Sequence, residues 1–114
     1  MNFRARDYLK HILDEADYLK QNSNGLEKDA FLKDETLKRA FVRSLEIIGE
    51  AVKQLPEDLR QTHAQIEWRL IAGMRDRLIH SYFGVDYEIV WDAIVNKIPL
   101  LEQTVREMLE TFDE

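Results

Sequence analysis

Apolar side chains recur with helical period along nearly the whole chain. In residues 3–20 they fall on one face of a predicted first helix: Ala5, Tyr8, Leu9, Ile12, Ala16 and Leu19. The sequence "QNSNG" follows, and Gly25 is suited to act as the pivot of a turn there. The pattern therefore predicts a long amphipathic helix that ends in a turn.

A second helix is predicted from Asp34, a suitable N-cap, to about Gln54. Its apolar stripe consists of Leu37, Phe41, Leu45, Ile48 and Val52. Gly49 interrupts the sequence "EIIGEA" and costs the helix roughly 1 kcal/mol relative to alanine. We expect that a neighbouring helix approaches closely at this glycine and offsets the cost.

The second half of the chain contains further helical signals. Pro56 fits the first turn of a short helix, "PEDLRQ", and a longer helix is predicted over residues 66–82. Gly84 is placed to end that helix in a left-handed turn, Asp86 to cap the next helix, and Pro99 to break or kink it. The last segment has an apolar face of Leu101, Val105, Met108 and Phe112. Short connections favour an all-α, up-down antiparallel bundle of four to five helices.

Composition narrows the class of protein. A length of 114 residues fits a single domain over residues 1–114, and the absence of cysteine excludes disulfides and thiolate metal sites. A net charge of −6 argues against a broad basic surface that coats nucleic acid. We find no apolar run suited to a signal peptide or a membrane span, so we expect a cytoplasmic protein without membrane contact.

The helix predicted over residues 66–82 contains a charge on its apolar face. That face consists of Trp68, Ile71, Ala72, Leu78, Ile79 and Tyr82, and Arg75 falls in its middle. An unpartnered guanidinium facing a core would cost several kcal/mol, so Arg75 needs an acceptor, a cleft or a second subunit. The helical pattern alone favours a partly buried arginine that pairs with a carboxylate.

Other polar groups cluster near this arginine. Asp76 and His80 are spaced i, i+4, so the carboxylate could orient the imidazole, and Tyr82 brings a phenol to the face of Arg75. An imidazole that moves protons and a guanidinium that holds a phosphate suffice for phosphodiester cleavage without a metal. The three histidines lack the spacing that holds a metal on one helix face, so we expect no metal and no cofactor.

The segment "RDRLIHSY", with "FGVDYEIVWD" after it and "RSLEIIGEAVKQLP" before it, resembles the HepT-like family of the HEPN superfamily. The resemblance implies a homodimeric, all-α HEPN domain that acts as a toxin, a metal-independent ribonuclease. It implies catalytic roles for Arg75 and His80 and a supporting role for Asp76. It also implies that a nucleotidyltransferase antitoxin inactivates the protein by transferring AMP to the hydroxyl of Tyr82.

Helix geometry gives a reason for the dimer that the resemblance implies. Five residues turn a straight helix by about 140°, so Arg75 and His80 of one chain would not reach the same atom. A twofold dimer would combine the side chains of both subunits in one cleft that binds RNA. Two alternatives stay open: a non-catalytic dimeric module that binds the nucleotidyltransferase or a nucleotide, and a monomeric bundle in which Arg75 is merely salt-bridged.

Overall fold

The computed structural model describes residues 3–80 and 84–112, and only the backbone of residues 3, 79 and 80. Within these residues the helices are α1 (Phe3–Ser23), α2 (Lys28–Lys33), α3 (Glu35–Lys53), α4 (Glu57–Gln61), α5 (Trp68–Ala72), α6 (Met74–Leu78), α7 (Tyr87–Asn96) and α8 (Ile98–Phe112). Two short antiparallel strands, β1 (Ile79–His80) and β2 (Gly84–Val85), join α6 to α7. The all-α prediction is confirmed. Among the described helices, none is both long and apolar enough to cross a membrane.

Helix α1 packs against both α3 and α8. Two ion pairs show that α1 runs antiparallel to α8. Lys20 pairs with Glu102 at 3.0 Å. Asp17, one turn before Lys20 in α1, pairs with Arg106, one turn after Glu102 in α8. Burial of the Glu102 carboxyl raises its pKa, but the hydrogen bonds and charges of Arg106 and Lys20 outweigh burial and lower that pKa overall. This buried carboxylate joins the first and last helices.

Helix α2 supplies an aromatic side chain to the centre of the core. Phe31 is fully buried and stacks on Phe41 of α3 and Trp91 of α7, with ring centroids 5.3 Å apart in both pairs. The sequence pattern did not predict α2, because six residues are too few to display a helical period. This short helix ties α3 to α7.

Both predicted N-caps are present. The Asp34 carboxylate accepts a hydrogen bond from the Leu37 backbone N–H at 3.0 Å, and α3 begins directly after it. The Asp86 carboxylate accepts from the backbone N–H groups of Glu88 at 3.1 Å and Ile89 at 3.3 Å at the start of α7. Each carboxylate satisfies amide donors that the first helical turn leaves unpaired.

The close approach predicted at Gly49 is also confirmed. A Cβ atom on Gly49 would lie 3.1 Å from the backbone oxygen of Ile71 and 3.4 Å from that of Ala72. The backbone of α5 therefore rests on α3 at a distance that only glycine accommodates without displacement. Because α6 follows α5 directly, this contact also sets where α6 lies.

The single helix predicted over residues 66–82 is wrong in its extent. It begins at Trp68, is interrupted by a turn at Gly73 and ends at Leu78. The carbonyl oxygen of Leu78 accepts a hydrogen bond from the backbone N–H of Asp86 at 2.8 Å, so the hairpin replaces the next helical turn.

Gly84 has the left-handed backbone that the sequence predicted, with a φ of +76°. It does not terminate a helix, however, because it lies in β2 and pairs with His80 of β1. Glycine adopts this backbone conformation without the strain that an L residue would have there.

Candidate active site

Arg75 lies in α6 with its side chain 59% exposed. The core positions of this helix belong to Met74 and Leu78, which are 2% and 0% exposed. The prediction that Arg75 lies in the middle of the buried face is therefore wrong for the single chain. Helices α5 and α6 pack against α3, and their buried side consists of Ile71, Met74 and Leu78. The guanidinium of Arg75 therefore lies at the edge of the core.

Glu46 of α3 is the carboxylate that faces Arg75. Its Oε2 lies 3.5 Å from the Nε of Arg75, and its Oε1 lies 3.9 Å from a terminal nitrogen of Arg43. The expected pairing of Arg75 with a carboxylate is therefore present, although at the surface. A loose pair of this kind contributes about 0–1 kcal/mol, so the guanidinium remains available to a stronger anion.

Sequence reasoning did not identify Glu46 as a partner of Arg75. Glu46 precedes Gly49 by three residues, so the two lie on neighbouring positions of one α3 face, the face against which α5 packs. The glycine marked that face as a contact surface. The carboxylate of Glu46, one turn before Gly49, could therefore have been predicted to meet a polar group of the neighbouring helix.

The other predicted site residues follow Arg75 closely along the chain. Asp76 is exposed on α6, and the backbone of His80 lies in β1, two residues after the end of α6. Because α6 ends at Leu78, His80 does not continue the helix that carries Arg75 and Asp76. The predicted i, i+4 contact of Asp76 with His80, and the 140° separation of Arg75 and His80 that favoured a dimer, therefore do not apply to this backbone. The side chain of His80 and all of Tyr82 lie outside the described part of the chain.

Positive charge is concentrated beside this site. Arg69, Arg75 and Arg77 are all exposed on α5 and α6, where Asp76 is the acidic residue, although the chain as a whole carries a net charge of −6. This part of the chain therefore combines exposed guanidinium groups with a histidine that follows α6 by two residues. Such groups can bind a phosphodiester and transfer protons to and from its oxygens.

Comparison with known proteins supports a chemistry of phosphodiester cleavage. A family model described as "Ribonuclease HepT-like" matches residues 12–108, a range that includes α6 and the hairpin. No solved structure matches the chain.

Similar proteins extend over nearly the full length of the chain. A protein of Caldanaerobacter subterraneus subsp. tengcongensis, named "Putative RNase", is 54% identical over 92% of this chain and 94% of its own length. A protein of Methanocaldococcus jannaschii with the same kind of name is 42% identical over 96% of this chain and 90% of its own. The "Probable ribonuclease HepT" of Thermococcus cleftensis is 40% identical over 85% of this chain and 88% of its own. The chain therefore belongs to the HepT-like family of ribonucleases.

Proposed function

We propose that this ribonuclease cleaves RNA with Arg75 and His80, within a single HepT-like domain formed by residues 1–114. The observation that carries the proposal is the exposed guanidinium of Arg75, which lies within the matched range. Arg75 precedes the first residue of the strand that holds His80 by four positions. Its loose pair with Glu46 leaves it free to exchange that carboxylate for a phosphate. Asp76 has a supporting role.

The proposed reaction uses the 2′-hydroxyl of the RNA as the nucleophile. The 2′-oxygen forms a bond to phosphorus, the bond from phosphorus to the 5′-oxygen breaks, and the products end in a 2′,3′-cyclic phosphate and a 5′-hydroxyl. His80 takes the proton of the 2′-hydroxyl or gives one to the 5′-oxygen. Arg75 stabilises the negative charge that grows on the phosphoryl oxygens.

Two protons must move on opposite sides of the phosphorus, and one chain offers one His80. We therefore propose a homodimer in which the two copies of Arg75 and His80 share a cleft, one imidazole acting as the base and the other as the acid. An isologous interface brings two copies of the same residues together by symmetry. The exposed position of Arg75 at the edge of the core is compatible with such a cleft.

We propose that a cognate nucleotidyltransferase regulates the site as the antitoxin of a toxin pair in the cytoplasm. Transfer of AMP to the Tyr82 hydroxyl would add a phosphate and a base two residues after His80. The added negative charge would occupy Arg75 and repel the RNA backbone. Intact mass of the protein after co-expression with the transferase, and again with Tyr82→Phe, tests this claim.

Substitution of the two proposed catalytic residues tests the function. We expect His80→Ala and Arg75→Ala to keep the dimer and the fold but to lose RNA cleavage and growth arrest in a bacterial host. His11→Ala is the matched control, because His11 is an exposed histidine on α1 that lies far from α6 in the chain. Wild-type cleavage by either site variant would refute the assignment. Harmless, soluble expression of the unsubstituted protein without any RNA cleavage would favour the non-catalytic binding module.

A further inference from the structure

A groove of about 680 Å³ lies on the side of α6 that the proposed mechanism does not use. It is lined by residues of α4, of the connection that follows α4, of α5 and of α6. Its volume is in the range of sites that hold small organic ligands. Arg77 and Gly73 belong to its lining, so the groove adjoins the helix that carries Arg75.

Three arginines line this groove: Arg60, Arg69 and Arg77. Within residues 3–80 and 84–112, no carboxylate lies within ion-pair distance of any of them, whereas Arg75 and Arg106 each pair with carboxylates of other helices. Two glutamates also line the groove, but Glu67 already pairs with Lys97 at 2.7 Å. Three guanidinium groups therefore face one uncompensated carboxylate, which makes the groove a positive site on an acidic protein.

Arg60 carries a further sign of an absent partner. Its Nε atom is buried and has no hydrogen-bond acceptor among the described residues. Buried donors of this kind are rare in folded proteins and call for a partner. A shift of the side chain onto an anion in the groove would supply the missing acceptor.

Apart from Gln61, the remaining lining is apolar, and its members include Ile66, Trp68 and Leu70. The indole N–H of Trp68 is already used, since it donates to the backbone oxygen of His63 at 2.9 Å. The apolar part of the groove therefore offers contact area but no free hydrogen-bonding group on Trp68. A flat, weakly polar group such as a nucleobase fits this lining, and it would be held without discrimination among bases.

We infer that the groove holds one nucleotide of the RNA strand beside the scissile phosphate, with its base against the apolar lining and the neighbouring phosphates on Arg69 and Arg77. This inference rests on the proposed function. Two residues turn a helix by about 200°, so positions 75 and 77 point in directions about 160° apart on α6. Arg75 therefore faces Glu46 while Arg77 lines the groove. A strand that crosses α6 contacts both arginines.

A second copy of the chain is a less suitable occupant of this groove. An isologous contact would bring two sets of the same three arginines together and remove them from water without acceptors. A polyphosphate strand supplies acceptors to each guanidinium instead. Charge complementarity therefore favours RNA.

Fluorescence anisotropy tests the inference with a single-stranded 2′-O-methyl RNA that the proposed mechanism cannot cleave. We expect the double variant Arg69→Gln, Arg77→Gln to bind it roughly tenfold more weakly. Each lost phosphate contact should reduce the slope of log affinity against log salt by about 0.7. Lysine at both positions should retain most of the affinity, since it keeps the charge. Arg39→Gln is the matched control: Arg39 is exposed, has no ion pair among the described residues and does not line the groove.

Three outcomes would overturn the inference that RNA binds in the groove. Wild-type affinity and salt slope in the double variant would show that RNA does not use the groove, and would leave the proposed function standing if Arg75→Ala still abolished cleavage. Loss of the dimer in the double variant, measured by analytical ultracentrifugation, would identify the groove as a subunit interface. AMP binding that depends on Arg69 and Arg77, without RNA binding, would identify a mononucleotide site.

Discussion

Replacement of Arg75 by glutamine should separate catalysis from stability. The side chain of Arg75 is 59% exposed, and the contact that the described residues give it is the 3.5 Å approach to Glu46. Loss of an exposed pair of this kind changes the free energy of unfolding by about 1 kcal/mol or less. For a chain of 114 residues this corresponds to a shift of about 4 °C or less in Tm.

The expected effect on the reaction is much larger. Loss of one donor that stabilises transition-state charge typically reduces the rate about 10²- to 10³-fold, or about 2.7–4 kcal/mol. We therefore expect the single-turnover rate of RNA cleavage by Arg75→Gln to fall by this factor at a temperature well below Tm. Arg75→Lys should recover part of the rate, because lysine keeps the charge but not the planar fork.

Arg43→Gln is the matched control for this experiment. Arg43 approaches the same Glu46 carboxylate at 3.9 Å and its side chain is 72% exposed, but it lies outside the segment that contains Arg75 and His80. We expect Arg43→Gln to cleave RNA at close to the wild-type rate with a similar Tm. Equal loss of activity in both variants, or a loss in Arg75→Gln that follows a fall in Tm, would exclude a catalytic role for Arg75.

Three further substitutions test the scaffold by thermal or chemical denaturation. Glu102→Gln should lose about 1–2 kcal/mol of stability at pH 7. Because folding lowers the pKa of Glu102, the difference in stability between wild type and variant should shrink as the pH falls below 4.5, the ordinary value of this pKa. A difference that grew in acid would contradict this prediction. Gly49→Val should cost about 1–3 kcal/mol by pushing on the Ile71 carbonyl and should also lower activity through α6, whereas unchanged stability would exclude the close contact. Asp86→Ala should cost about 1 kcal/mol, and Asp86→Asn much less, if the cap acts through its hydrogen bonds.

The sequence was most informative where a feature depends on local chemistry. Asp34 and Asp86 could be predicted as caps because a side chain and the next turn of backbone are sufficient to form them. Gly49 indicated a close approach because a glycine inside an amphipathic helix needs a compensating contact. Together with the helical period of the apolar residues, such local signals were sufficient to predict an all-α bundle and most helix starts.

Features set by distant parts of the chain could not be predicted in this way. The orientation of Arg75 depends on how α5 and α6 pack on α3, and its partner Glu46 lies 29 positions away in the sequence. The hairpin at His80 depends on the pairing of His80 with Gly84. The sequence between them continues the helical pattern of apolar residues, so that pattern predicted a further helical turn. Periodicity records which residues are apolar, whereas the competition between a further helical turn and a hairpin is decided by tertiary contacts.

The chemical ends of the RNA products show whether the 2′-hydroxyl is the nucleophile and whether His80 is required. Purified protein is incubated with a defined RNA in the presence of EDTA, and the fragments are analysed by mass spectrometry. We expect fragments with 2′,3′-cyclic phosphate and 5′-hydroxyl ends from the wild-type protein and none from His80→Ala. Fragments with 5′-phosphate ends, cleavage that EDTA abolishes, or the same fragments from His80→Ala would contradict the proposed mechanism.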